Sequence, residues 1–138
     1  AQKVAAAAAM TPPFTLVFYR LSRFGRDHVL YLEPEPEDKL TALLRALVAL
    51  FPDYPPYGGE IPLDEYRPHV TVAVAESDDA LTQIEDEFRR TVALPLPLQV
   101  AVREMWLMVR VKGRWLLHST FSLGMPTGEV PRTVGPST

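Results

Sequence analysis

The chain has 138 residues, 47% of them apolar, with 14 Lys and Arg against 17 Asp and Glu for a net charge of -3. That length suits one domain with a real core, and the acidic balance excludes a broad basic nucleic-acid face while leaving room for a pocket that takes one phosphate group. There is no cysteine, hence no disulfide or thiolate metal site, and His28, His69 and His118 fall into no ligand cluster, so no metal and no cofactor is expected.

From the N-terminus, Gln2 to Met10 (QKVAAAAAM) favours helix by composition alone, in a run short enough to need tertiary support. Pro12 and Pro13 end it. Phe14 to Leu21 and His28 to Leu32 read as two strands of an antiparallel hairpin, since the polar turn Ser22–Asp27 is too short for a crossover. His28, beside Asp27, reads as a solvated strand end. After the stiff acidic Glu33–Glu37, apolar Leu40, Leu43, Leu44, Leu47 and Phe51 recur at helical spacing and predict a helix laid on a sheet. Residues 52–68 form a proline-rich loop, a site wall or an inert connector, in which Tyr54, Tyr57 and Tyr66 offer rings to a base. Tyrosines in such loops usually just pack.

Beyond the loop, Val70, Val72 and Val74 alternate with His69, Thr71, Ala73 and Ala75. A period of two sends the sets to opposite faces, the valines inward and the imidazole and hydroxyl outward. Ser77 then reads as the N-cap of a helix buried through Leu81, Ile84 and Phe88, with Glu85, Asp86, Glu87, Arg89 and Arg90 wet. Leu98–Val102 is a strand. Met105–Val111 and Trp115–Leu123 form a hairpin turning at Lys112-Gly113. A second His-x-Thr stands there, His118 and Thr120. Residues 1–124 read as one domain and 125–138 as a flexible tail. The class expected is α+β: a mostly antiparallel sheet, two main helices on one face, and the His69 strand central. No stretch approaches the roughly 18 apolar residues of a membrane span, so no membrane partner is expected. A cytoplasmic location is the expectation.

Histidine exchanges protons near neutral pH, a threonine hydroxyl two residues on can donate to an anionic oxygen, and Arg67 can pair with phosphate. A three-residue His-x-Thr also arises by chance, threonine being a good strand residue, and spacing alone does not make an enzyme.

The ordered set Phe51-Pro52, Tyr54-Pro55-Pro56-Tyr57-Gly58-Gly59 and Arg67-Pro68-His69-Val70-Thr71-Val72-Ala73 resembles the second half of the 2'-5' RNA ligase-like family of the 2H phosphoesterases. The upstream hairpin and helix, and Trp115 with Phe121-Ser122-Leu123-Gly124 downstream, extend the resemblance over roughly residues 12–124. It implies half or more of a two-lobed fold, each lobe giving one His-x-Thr or His-x-Ser to a cleft. It also implies metal-independent opening of 2',3'-cyclic or related phosphodiesters, or in some members the joining of RNA ends.

On that basis His69 and Thr71 are the catalytic pair of the second motif. Arg67, Tyr66 and Tyr57 are substrate-binding candidates, and the partner is a small cyclic nucleotide or a phosphate-bearing RNA end. The first motif belongs ahead of the initial helix, and no histidine precedes His28. Three accounts are open: the domain is N-terminally incomplete, the protein is an inactive member serving as a binding or structural module, or His118 and Thr120 supply the second pair. An absent strand would also expose a sheet edge for homo-oligomerisation. A plain RNA-binding domain is the further alternative, disfavoured by the net charge.

Overall fold

A computed structural model describes residues 2–26, 28–92 and 95–124. Asp27 and the expected tail 125–138 lie outside the described residues. The elements in order are α1 (Gln2–Met10), β1 (Phe14–Phe24), β2 (Val29–Pro34), α2 (Asp38–Leu50), a 3-10 turn at Pro56–Gly59, β3 (Val70–Val74), α3 (Asp78–Thr91), β4 (Leu98–Val102), β5 (Glu104–Val111) and β6 (Arg114–Ser122). The class is α+β, with antiparallel pairing of β1 with β2, β2 with β3, and β5 with β6. No helix among the described residues is long and apolar enough to cross a membrane.

The chain divides into two compact units. One takes its described residues from Ala1–Phe14, Asp38–Ile61 and Ala101–Thr138, the other from Thr15–Glu37 and Pro62–Val100. In the first, α1 packs on α2 and β6. This is the tertiary support its alanine-rich sequence requires: Ala7 and Ala8 are buried with Leu43 of α2 and with Ser119, Phe121 and Leu123 at the end of β6. Small side chains let the helix backbone come close. The C-terminus of α1 is tied down by Thr11, whose hydroxyl donates to Ala7 O at 2.9 Å, and by the Gly124 N–H, which donates to Ala8 O at 3.1 Å. Gly124 has φ 68°, and a Cβ there would meet Pro13 Cδ at 3.0 Å, so the position needs glycine. The β5–β6 turn is the expected one: Lys112 and Gly113 both have positive φ, 48° and 79°, and Val111 pairs with Arg114, as in a two-residue hairpin turn matched to strand twist.

The second unit holds, apart from end residues, the four-stranded sheet in the order β3-β2-β1-β4. Helix α3 packs on β2 and β3. Its core is the fully buried pair Leu30 and Leu81 with Phe18 and Leu32. Helix α3 starts as its sequence demands, Ser77 Oγ accepting from Ala80 N at 3.2 Å, Asp78 and Asp79 in the first turn, Arg89 and Arg90 in the last.

Four expectations are corrected by the structure. The His69 strand is not central: β3 is the edge of its sheet. Strand β4 lies on the far side of β1, and among the described residues no strand lies beyond β3. The valines of β3 are not its core face, since Val70 and Val74 are exposed, and an edge strand has only one neighbour to shield it. The two main helices fall in different units: α2 packs on α1 in one, and α3 packs on β2 and β3 in the other. Finally, Glu85 is not on the wet side of α3. It is tucked against Arg23 of β1 and Arg89, while Ile84 stands 36% exposed. The ion pair turns the helix so that Leu81, Glu85 and Phe88, spaced i, i+4 and i+7, lean on the sheet.

Candidate active site

The pairing register sorts the second unit's sheet into two faces. Residues directly opposite on neighbouring strands share a face. Arg23 lies opposite Leu30, and Arg23 Nε donates to Glu85 Oε2 at 2.6 Å, so this is the face α3 covers. The other face carries two cross-strand rows. One is Ser22, Tyr31 and Thr71; the next sets Arg20 opposite Glu33. His69 stands two residues before Thr71 at the entry to β3 and therefore points to the same side.

The alternation does not persist along β3. Leu30 pairs with Ala73 and Tyr31 with Thr71, which leaves Val72 as an extra residue on β3. Such a bulge shifts everything beyond it to the opposite face. Ala73 therefore sits with Leu30 on the helix-covered side, not with His69 and Thr71 as a strict period of two predicts. The bulge confines the polar set to His69 and Thr71.

His69 is held on three sides. Pro68 fixes its own φ and biases Arg67 to extended backbone, and His69 Nδ1 lies 2.8 Å from the Arg67 carbonyl oxygen. A carbonyl can only accept, so Nδ1 carries the hydrogen. In the neutral ring Nε2 then has the lone pair, and in the cation it has the transferable proton. The ring stands edge-on to two aromatics, Phe24 at 5.2 Å and 81°, and Tyr31 at 5.6 Å and 70°, which are themselves stacked at 3.9 Å and 14°. Tyr31 is buried and Thr71 exposed. Glu33 completes the face: its Oε2 accepts from Arg20 Nε at 3.2 Å and Nη2 at 3.0 Å and from Ser22 Oγ at 3.5 Å, and its Oε1 lies 3.8 Å from Arg67 Nη1.

Of the residues singled out from the sequence, His69, Thr71, Arg67 and Tyr66 lie in this unit. Tyr57, His118 and Thr120 belong to the other. Tyr57 is 55% exposed in the 3-10 turn, with φ 52°. His118 is itself a bulge residue: Ser119 pairs with Leu107 and Leu117 with Met108, so His118 has no opposite number, and its Nδ1 lies 2.8 Å from Ser119 Oγ. The period-two spacing of His118 and Thr120 is thus interrupted. His28 is not a strand start. It adopts φ 47°, its carbonyl accepts from Ala75 N at 2.9 Å, and its ring meets Asp78 Oδ1 at 2.9 Å. It braces the β3–α3 junction. Among the described residues, no group of three or more His, Asp or Glu is placed to hold a metal ion. A shallow groove of about 540 Å³ runs along α3, lined by Ala80, Gln83, Ile84, Glu87, Phe88 and Thr91.

Sequence reading missed Phe24, Tyr31, Arg20, Ser22 and Glu33. Phe24 and Ser22 were placed in a turn, whereas β1 runs on through Phe24. The missing signal was the register of β1 on β2, which contains its own bulge at Tyr19.

Comparison with known proteins bears on the family and the fold. The family model of the 2'-5' RNA ligase superfamily matches residues 1–114. A search of curated proteins finds no match. Among solved structures, E. coli LigT, crystallised in complex with NADP+, is similar with a TM-score of 0.52 and 21% identity, over 91% of this chain and 70% of that one. At that identity the likeness is one of fold. The family match spans most of the chain, which therefore belongs to the 2'-5' RNA ligase superfamily, the 2H phosphoesterases.

Proposed function

We propose that the protein is a phosphoesterase that opens 2',3'-cyclic phosphates or related cyclic phosphodiesters at the ends of RNA or on nucleotides, a hydrolase of RNA-end processing acting in the cytoplasm. The observation that carries this reading is the fixed tautomer of His69. Its Nδ1 hydrogen is committed to the Arg67 carbonyl, so Nε2 is left to handle protons beside the exposed Thr71 hydroxyl. In the proposed step a water oxygen attacks phosphorus and the bond from phosphorus to one ribose oxygen breaks. Nε2 of His69 either takes the water proton or gives one to the departing oxygen, and a second acid–base group serves the other end. Thr71 donates to a non-bridging phosphate oxygen, and the positive charge of Arg67 offsets the negative charge that builds up on the phosphorane oxygens. Tyr66, preceding Arg67, is a substrate-contact candidate. The NADP+ bound by LigT is likewise a phosphate-bearing nucleotide.

The test is turnover of adenosine 2',3'-cyclic phosphate by the wild type and by His69→Ala. Loss of a general acid–base group lowers the rate by roughly 10²–10⁴-fold, with the circular dichroism spectrum unchanged. No turnover by the wild type would leave the chain as a non-catalytic module on the same fold.

A further inference from the structure

We propose that Arg20 and Arg67, bridged by Glu33, form a second anion subsite that takes an additional phosphate of the substrate, so that the preferred ligand is a nucleotide or RNA end carrying a phosphate besides the one at His69. This rests on the cyclic-phosphodiester reading for the identity of the first site. The supporting observation is an imbalance of charge. One carboxylate, Glu33, serves two guanidinium groups. A staple between β1 and β2 needs only Arg20 and Glu33, and the addition of Arg67 leaves that spot one positive charge in excess, on a chain whose net charge is -3.

The placement fits a ligand rather than a core contact. Both arginine side chains are largely exposed, 71% for Arg20 and 68% for Arg67, while the carboxylate between them is only 21% exposed. Glu33 engages the Nε edge of Arg20 and so orients its guanidinium plane, which lowers the cost of ordering a long side chain on an anion. The position is also right. Arg20 lies opposite Glu33, one row from Ser22, Tyr31 and Thr71 on the same face, so it stands two strand spacings, about 10 Å between backbones, from the strand that carries Thr71. The length of an arginine side chain brings its charge to within one nucleotide's span of a phosphate at His69 and Thr71.

The experiment is calorimetric titration with adenosine 2'-phosphate and adenosine 2',5'-bisphosphate on the wild type, Arg20→Ala and Arg45→Ala. The last removes an exposed cation from α2 and corrects for net charge. The second phosphate is expected to tighten wild-type binding about tenfold or more, the scale of a charged hydrogen bond. Arg20→Ala should lose that gain while binding the monophosphate unchanged, and Arg45→Ala should keep it. A gain that survives in Arg20→Ala, equal affinity for both ligands, or binding of neither overturns the subsite. If the bisphosphate gain depends on Arg20 but adenosine 2',3'-cyclic phosphate is not hydrolysed, the subsite stands and the catalytic reading falls.

Discussion

At the scale of single residues, His69 works through what holds it. Its edge contacts with Phe24 and Tyr31 set the ring plane, and its Nδ1 bond sets the tautomer. Phe24→Ala removes one edge contact and half of the stack on Tyr31. An aromatic pair contributes about 0.5–1.5 kcal/mol beyond its burial, so kcat is expected to fall several-fold with KM little changed, and Phe24→Tyr should restore it. A fall in KM affinity alone would assign Phe24 to substrate contact instead. For Thr71 the hydroxyl, not the shape, is the functional part. Thr71→Val should reduce kcat/KM by roughly tenfold or more, the cost of leaving a charged oxygen without its donor, and Thr71→Ser should retain most activity. Equal activity of the valine and serine variants would show that the residue serves only as a strand former.

Helix α3 is held on its sheet by a buried layer and an ion network. Leu30 of β2 and Leu81 of α3 are both fully buried where the helix packs on the strand. Leu81→Ala should lower unfolding free energy by about 2–5 kcal/mol in denaturant titration. Beside them, burial pushes the Glu85 carboxyl up, but the hydrogen bonds and charges of Arg89 and Arg23 outweigh it and hold the group below the usual glutamate range. A carboxyl depressed in the folded state favours folding when ionised. That contribution is present above the unfolded value, about 4.3, and fades as pH falls through the lower folded value. Thermal unfolding should therefore show a loss of Tm below about pH 4.3 that Glu85→Gln makes shallower. An identical acid slope in the variant would mean that the network contributes nothing to stability. How much of this was legible also divides by element. Capping residues and the Lys112-Gly113 turn are local signals, and α3 and the β5–β6 hairpin were readable from them. Strand faces were not, because Tyr19, Val72 and His118 are each an extra residue opposite a regular partner. A bulge leaves no local mark in an alternating pattern, so Ala73 and Val74 were assigned to the wrong sides, while Val70, ahead of the bulge, is exposed because β3 is an edge strand.

Over the whole molecule, the class and the family could be read from the chain, the family model matching residues 1–114, and so could the spacing that sets His69 and Thr71, the proposed catalytic pair, on one side of a strand. The surroundings of that pair could not. Phe24 comes to His69, and Glu33 to Arg20 and Arg67, only through pairing of β1 with β2 and β2 with β3, which joins distant parts of the chain. The position of β3 at the sheet edge was equally hidden, since the order of elements along the chain suits a central or an edge strand alike. Charge behaves in the same way: a net of -3 describes the whole chain, whereas the proposed chemistry depends on a local excess of positive charge on one sheet face. Because that excess is exposed, its attraction for a multiply charged ligand is expected to weaken as ionic strength rises past about 0.1 M. The central claim is that the imidazole with its hydrogen committed to the Arg67 carbonyl is the proton-transfer group. The direct measurement is the rate of adenosine 2',3'-cyclic phosphate opening by wild type and by a folded His69→Ala variant. The account predicts a loss of at least about a hundredfold; a variant that turns the substrate over at the wild-type rate would contradict it.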